Sequence, residues 1–272
     1  MRPDTSPQRS GYQRRAIVRH RGGVPLAVTD NVAEEVPVAL VFNGISHAVM
    51  MATPRDLEAL AVGFALTEGI VPDLTDIHDV VVHQLPAAAE VQITIGQGAF
   101  MQLKQRRRSL SGRTGCGICG IESLALLDLE PEPMAPVPLL APLAPALARA
   151  ARELGPHQAL MRETGGVHAA AWCGFDGAVY TVFEDVGRHN GLDKLIGQLV
   201  MQGVDLRTGF VFLSSRASYE LVRKAARVGV PMLATISAPT CLAIDIARQA
   251  GLQLVSFCRA DGFVAYTGAL AA

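Results

Sequence analysis

Apolar positions fall into two rhythms along the chain. Residues 16–29 and 36–52 alternate apolar and polar side chains and carry Val and Ile, the period-two pattern of half-buried strands. Asn43-Gly44 lies between two such runs and predicts a hairpin, because both residue types tolerate the positive φ of a tight turn. Thr53-Pro54 then predicts a helix start, with Thr53 as N-cap, Pro54 at the first position and Asp56 and Glu58 in the first turn. Leu57, Leu60, Ala61, Phe64 and Ala65 give that helix an apolar face, and Gly69 stops it. Strands are predicted at 77–84 and 90–95. Further on, helices at 146–154, 190–202, 218–228 and 240–250 alternate with strands at 167–173, 178–184, 209–214, 231–236, 252–257 and 263–267. This alternation predicts an α/β fold, a three-layer sandwich whose helix-linked strands run mostly parallel.

Six prolines between Pro131 and Pro145 interrupt the pattern where neither a helix interior nor a central strand would tolerate them. The expected organisation is therefore a disordered basic tail over 1–15, a smaller N-terminal α+β domain over 16–130, a Pro-rich linker over 131–145 and the α/β domain over 146–272. Half of the 272 residues are hydrophobic, enough for a substantial core. A net charge of -1 supplies no global field to attract nucleic acid or a membrane surface, and neither is expected as a partner. The tail carries several arginines, but no apolar segment of signal-peptide type follows it. Five cysteines, an odd number in a chain able to build a core, argue against a disulfide framework and for a cytoplasmic location.

The sharpest local feature is Thr114-Gly115-Cys116-Gly117-Ile118-Cys119-Gly120. Glycines let the backbone turn tightly around two thiols at C-x-x-C spacing. Lys104, Arg106, Arg107, Arg108 and Arg113 precede them, and no acid lies between 104 and 121. Positive neighbours lower a thiol pKa and raise the reactive thiolate fraction, as would the start of a helix over Glu122–Leu129. A structural zinc site needs four ligands, and there is no second C-x-x-C. A redox pair, a sulfur-carrying loop and a glycine-rich turn with two incidental thiols all fit the spacing.

In the second half, polar clusters sit at strand ends. Thr164-Gly165-Gly166-Val167-His168 precedes a strand, and Glu184-Asp185-Val186-Gly187-Arg188-His189-Asn190 joins a strand to a helix carrying Asp193 and Lys194. Ser214-Ser215-Arg216-Ala217-Ser218 and Ser237-Ala238-Pro239-Thr240 occupy equivalent turns. Such turns of an α/β sheet converge where ligands bind, with Arg188 and Arg216 as candidate anion clamps. Asn190, Ser218 and Thr240 are equally good helix N-caps, and Phe257–Gly262 also fits a plain turn between the last two strands.

Together these motifs resemble one family, the formate dehydrogenase accessory sulfurtransferases known as FdhD, with Met51-Ala52-Thr53-Pro54 adding an N-terminal match. The resemblance runs from about residue 24 to Thr267. It implies a persulfide sulfur carrier that receives sulfur from a cysteine desulfurase and passes it to the molybdenum cofactor, Mo-bis(molybdopterin guanine dinucleotide), before that cofactor enters formate dehydrogenase. In that reading Cys116 carries the persulfide, and Cys119, the second catalytic candidate, could resolve it, relay sulfur or only support the loop. The family's cofactor-binding stretch corresponds to Phe257, Cys258, Arg259, Ala260, Asp261 and Gly262, joined here by Arg188, His189, Arg216 and Ser237. GDP is the expected mimic of the cofactor's tail, no metal site is expected, and a homodimer is left open. The larger domain is expected to be cytidine-deaminase-like, yet His168 is followed by Ala169 and Ala170, so the H-x-E of zinc deaminases is missing. The rival reading is a non-catalytic cofactor-binding chaperone with a redox-sensing C-x-x-C.

The basic, acid-free stretch around Cys116 predicts a reactive thiol. Alkylation followed across a pH series is expected to modify Cys116 faster than Cys173, and equal rates would remove the case for an activated thiolate.

Overall fold

The computed structural model describes residues 9–108, 131, 133–134 and 143–268. The chain opens with a hairpin, β1 (Tyr12–Arg21) and β2 (Val24–Ala33), paired in unbroken antiparallel register. Gly22 and Gly23 both take positive φ at its tip, which is why the patterned run of 16–29 divides in two. Strand structure thus reaches back to Tyr12, inside the segment expected to be disordered. Arg9 explains the order, because its guanidinium pairs with Glu34 at 2.9 Å and also bonds the Leu85 carbonyl. Toward its tip both sides of the hairpin stay open to solvent, with Val18, Val24 and Leu26 all exposed.

A four-stranded sheet follows in the order β4-β3-β6-β5, from β3 (Val36–Phe42), β4 (Ile45–Ala52), β5 (Ile77–Gln84) and β6 (Ala89–Ile95). Asn43 and Gly44 make the predicted turn with φ of 44° and 80°. The Asn43 side chain brackets the turn against β6, accepting from the Ile95 N–H at 2.7 Å and donating to its carbonyl at 2.9 Å. Helix α1 (Leu57–Thr67) covers one face through Leu60, Ala61 and Phe64, burying Leu40, Phe42, Val91 and Ile93. Its N-cap is Asp56 at φ 53°, not Thr53. Thr53 is fully buried, and tertiary partners engage its backbone and hydroxyl, as described below. A helix the pattern did not predict, α2 (Gln97–Arg108), carries Lys104 over the Phe100 ring at 4.4 Å.

The second sheet has six strands in the order β12-β11-β10-β9-β7-β8. They are β7 (His168–Gly174), β8 (Val179–Asp185), β9 (Gly209–Leu213), β10 (Met232–Thr235), β11 (Gln253–Arg259) and β12 (Gly262–Ala265). Strands β9, β10 and β11 are parallel, β7 runs antiparallel to both β8 and β9, and β12 antiparallel to β11. Helix α3 (Leu143–His157) buries Leu143, Leu147, Ala150 and Leu154 on one face of this sheet. Helices α5 (Arg188–Met201), α6 (Tyr219–Arg227) and α7 (Cys241–Ala250) bury Leu192, Leu195, Leu221, Val222 and Ile246 on the other. These are the three layers the alternation predicts. The short α4 (Ala159–Thr164) precedes β7 and ends at Gly165 with φ 67°. Helix α3 begins within the expected linker, and Pro145 is tolerated because a first-turn residue has no intrahelical acceptor for an N–H. Residues 135–142 of that linker lie outside the described residues.

The two sheets meet where α1 crosses α5. A Cβ on Gly63 would stand 1.8 Å from the Asp193 carbonyl oxygen, and one on Gly197 2.0 Å from that of Ala59, so the helices touch backbone to backbone. Overpacking a contact of this kind costs about 1–3 kcal/mol or more. Gly197→Ala is therefore expected to lower the free energy of unfolding by at least that amount in a denaturant titration. An unchanged midpoint would show that the crossing yields.

Candidate functional site

Strands β8, β9, β10 and β11 point the same way, so their C-terminal ends and the start of β7 share one edge of the sheet. The turns leaving them are knitted together. Ile236 N–H donates to the Leu213 carbonyl at 3.1 Å, Ala217 N–H to that of Ala238 at 3.2 Å, and Thr240 N–H to that of Ala217 at 3.1 Å. Phe257 N–H reaches the Ser237 carbonyl at 3.4 Å. Arg259 donates to the carbonyls of Ile236 and Cys258 at 2.7 and 2.8 Å, fastening the last turn to its neighbour. The predicted polar turns thus form a single rim.

The 184–194 stretch divides by burial. Glu184 accepts from the N–H groups of Leu160 and Met161 at 2.7 and 2.8 Å and so closes the start of α4. Asp185 is fully buried and pairs with Lys194, equally buried, at 2.6 Å. The same carboxylate accepts from Thr53 N–H at 3.0 Å and Gly187 N–H at 2.8 Å, and Lys194 also donates to the Thr53 carbonyl at 2.9 Å. Asn190 lies inside α5 and is not its N-cap; it donates to the Met51 carbonyl at 2.8 Å and to Asp185 at 3.0 Å. These residues bind the strand end before α1 to the start of α5. At the far end of α1, Lys224 meets Asp193 at 2.9 Å and Glu68 at 2.8 Å, with Thr67 donating to Asp193 at 2.7 Å. Burial pushes the Asp193 carboxyl up despite Lys224, while on Lys224 burial is outweighed and Asp193 and Glu68 hold the ammonium above its ordinary pKa. Lys224 and Arg223 likewise hold Glu68 well below the carboxylate range.

The other half of the motif faces the rim. Arg188 and His189 open α5, with Arg188 Nη2 at 3.9 Å and His189 Nε2 at 2.8 Å from Glu220 Oε2 on α6. Ser218 Oγ lies 3.5 Å from both His189 Nε2 and Glu220 Oε2; it precedes α6 without bonding its backbone, whereas Thr240 caps α7 by accepting from Ala243 N–H at 3.2 Å. Burial would raise the Glu220 pKa, but His189 and Arg188 outweigh it and leave the carboxyl below its usual value. His168 is held low, by burial and then by Arg188. Arg216 is exposed and forms no ion pair among the described residues.

Phe257 to Gly262 make the end of β11, the turn at Ala260-Asp261 and the first residue of β12, so the plain-turn reading and a place on the rim coincide. Phe257 is 43% exposed with φ 53°, a left-handed conformation that non-glycine residues seldom adopt. Arg259, Ala260, Asp261 and Gly262 are exposed, and Ser237 is half-buried. Cys258 departs from expectation. Its side chain is buried in the core beneath α3, because the bulge between Ser256 and Arg259 turns Phe257 outward in its place, and burial pushes the thiol up to about 11. It can offer the rim only backbone. Cys116, Cys119, Arg113 and the helix expected over Glu122–Leu129 lie outside the described residues. Glu220 was not among the sequence candidates; its one signal was an acid in a predicted first helical turn, which reads as ordinary support for the helix dipole.

The six-stranded α/β sheet thus gathers arginine, imidazole and an exposed aromatic at its strand ends, the edge at which α/β sheets take their ligands. Comparison with known proteins gives the family. Residues 33–271 match the FdhD/NarQ family, to which this chain belongs. It is 63% identical over 262 residues to the sulfur carrier protein FdhD of Burkholderia mallei, covering 94% of this chain and 96% of that one. With its namesake from Chromobacterium violaceum it shares 64% identity over 253 residues, 93% of this chain and 94% of the other. The fold matches a crystal structure described as a formate dehydrogenase accessory protein from Desulfotalea psychrophila, with a TM-score of 0.74 and 22% identity over 97% of this chain and 98% of that chain. No helix among the described residues is long and apolar enough to cross a membrane.

Removing one member of a buried ion pair strands the other, at a cost of about 3–5 kcal/mol. Lys194→Ala is expected to destabilise the protein by that order in chemical denaturation. A loss below about 1 kcal/mol would mean that Asp185 finds solvent.

Proposed function

We propose that this chain is a cytoplasmic sulfur carrier serving formate dehydrogenase, a sulfurtransferase that works through a persulfide on Cys116. The observation that carries the reading is its identity of 63–64% over nearly the whole chain with relatives named sulfur carrier protein FdhD, together with a C-x-x-C set in glycine and preceded by basic residues. The Cys116 thiolate attacks the terminal sulfur of a persulfide on a cysteine desulfurase; the donor's S–S bond breaks, its cysteine leaves as thiolate, and Cys116 holds the sulfur. A thiol whose pKa lies near ambient pH suits that exchange, and neighbouring arginines favour it. The acceptor is the molybdenum bis-guanine-dinucleotide cofactor, a substrate here, whose anionic tails suit the rim. Arg188, Arg216 and Arg259 offer charge, Ser237 a hydroxyl, the Ala260-Asp261 turn open backbone, and Phe257 an exposed ring face for a purine.

Two measurements test this. Mass spectrometry after incubation with a cysteine desulfurase and cysteine is expected to find one added sulfur on Cys116, none in Cys116→Ala and less in Cys119→Ala. GDP titrated by calorimetry is expected to bind the wild type and to bind Arg216→Ala or Arg259→Ala about tenfold to a hundredfold more weakly, the worth of one charge-assisted phosphate contact. Full loading of Cys116→Ala would overturn the carrier assignment, and equal GDP affinity in all three proteins would remove these arginines from the site.

A further inference from the structure

We propose that Glu220, which no sequence motif marks, is a positioning residue for the rim: its carboxylate steadies a protonated His189, so that binding a nucleotide phosphate takes up one proton. The inference rests on the nucleotide reading of the rim and adds its mode of regulation. His189 Nε2 lies 2.8 Å from Glu220 Oε2 and is thereby committed as a donor. The neutral ring then carries its lone pair on Nδ1, which repels an anion, whereas the protonated ring presents a second N–H there. An anion arriving at Nδ1 therefore selects the charged form.

The surroundings decide which group takes the proton. On α5, Arg188 and the positive end of the helix both oppose charge on His189. On β7, His168 faces the same field, and burial and then Arg188 hold its pKa below the ordinary imidazole value. On β8, Asp185 is consumed by Lys194, and Lys224, a turn beyond Glu220, is consumed by Asp193 and Glu68. Among the described residues, Glu220 is thus the carboxylate left to balance the imidazole. Its side chain is only 15% exposed and that of His189 25%, which limits screening of the pair by solvent. Arg188 Nη2 approaches the same carboxylate at 3.9 Å, which sets the guanidinium beside the imidazole as a second positive group for an anion.

The test is calorimetry of GDP binding to the full chain between about pH 5.5 and 8.5, in two buffers of different ionisation enthalpy that together report proton uptake. GDP titrates its own terminal phosphate, and His189→Gln supplies that baseline. The wild type is expected to take up close to one proton more than His189→Gln near pH 7.5, and to lose about tenfold in affinity from pH 6 to 8 beyond that variant's loss. Glu220→Gln should retain affinity at pH 5.5 while its loss with rising pH begins about one unit lower, the effect of removing an opposite charge at this range. Glu220→Asp should fall between the two. Equal proton uptake in wild type and His189→Gln, or an unshifted profile in Glu220→Gln, would overturn the proposal while leaving GDP binding intact. Failure of the wild type to bind GDP at any pH would instead overturn the nucleotide reading, and this proposal with it.

Discussion

Gly63 and Gly197 let α1 and α5 meet without intervening side chains, and a buried ion network closes each end of the crossing. Small residues and apolar faces alone would let two helices slide along or roll over one another. The charges remove that freedom: Lys194 can satisfy both Asp185 and the Thr53 carbonyl in one register only, and Lys224 must reach Asp193, Thr67 and Glu68 together. Buried charge is an uncertain source of stability but an effective device for selecting one packing. Here it fixes how the four-stranded sheet sits against the six-stranded one, and with it where α5 begins. Arg188 and His189 are the first residues of that helix, so the rim inherits its geometry from a contact made on the helix's other side.

That dependence alters the meaning of the polar string from Glu184 to Asn190. As a sequence it reads as a binding loop. In the fold Glu184 closes α4, Asp185 and Asn190 hold the approach to α1, and only Arg188 and His189 face the rim. A string can be diagnostic of a family because several structural demands meet in it, with function taking the minority of its positions.

The layers of the larger unit were legible because apolar periodicity there is strong and the helices are separated by turn residues; all four predicted helices and six strands lie within a few residues of their observed places. The Asn43-Gly44 turn was legible because its backbone demands those residues. Where local signals misled, a tertiary partner was responsible. Thr53 looks like a helix cap but surrenders its N–H to a carboxylate more than a hundred residues away. Tyr12 to Arg15 look like a solvated basic tail but pair with β2, anchored by Arg9 on Glu34. Cys258 sits among candidate binding residues, and only the bulge beside it reveals that the side chain turns inward. Glu220 escaped notice because a carboxylate in a first helical turn needs no further explanation until its neighbours are known.

The same crossing has a consequence for how the protein comes into being. Helix α1 is buried at nearly every position, beneath its own sheet on one side and against α5 on the other. The partners on that second side stand 132 positions from Thr53 and 157 from Thr67. During synthesis the chain emerges from its N-terminus, so the first sheet and α1 are complete long before Lys224 leaves the ribosome. Through that interval the α5-facing side of α1 remains open, and closure waits on contacts of long sequence separation, the slowest kind to form. Assembly of the two sheets is thus the late step of folding, and an apolar helix surface is the state that a nascent chain must survive to reach it.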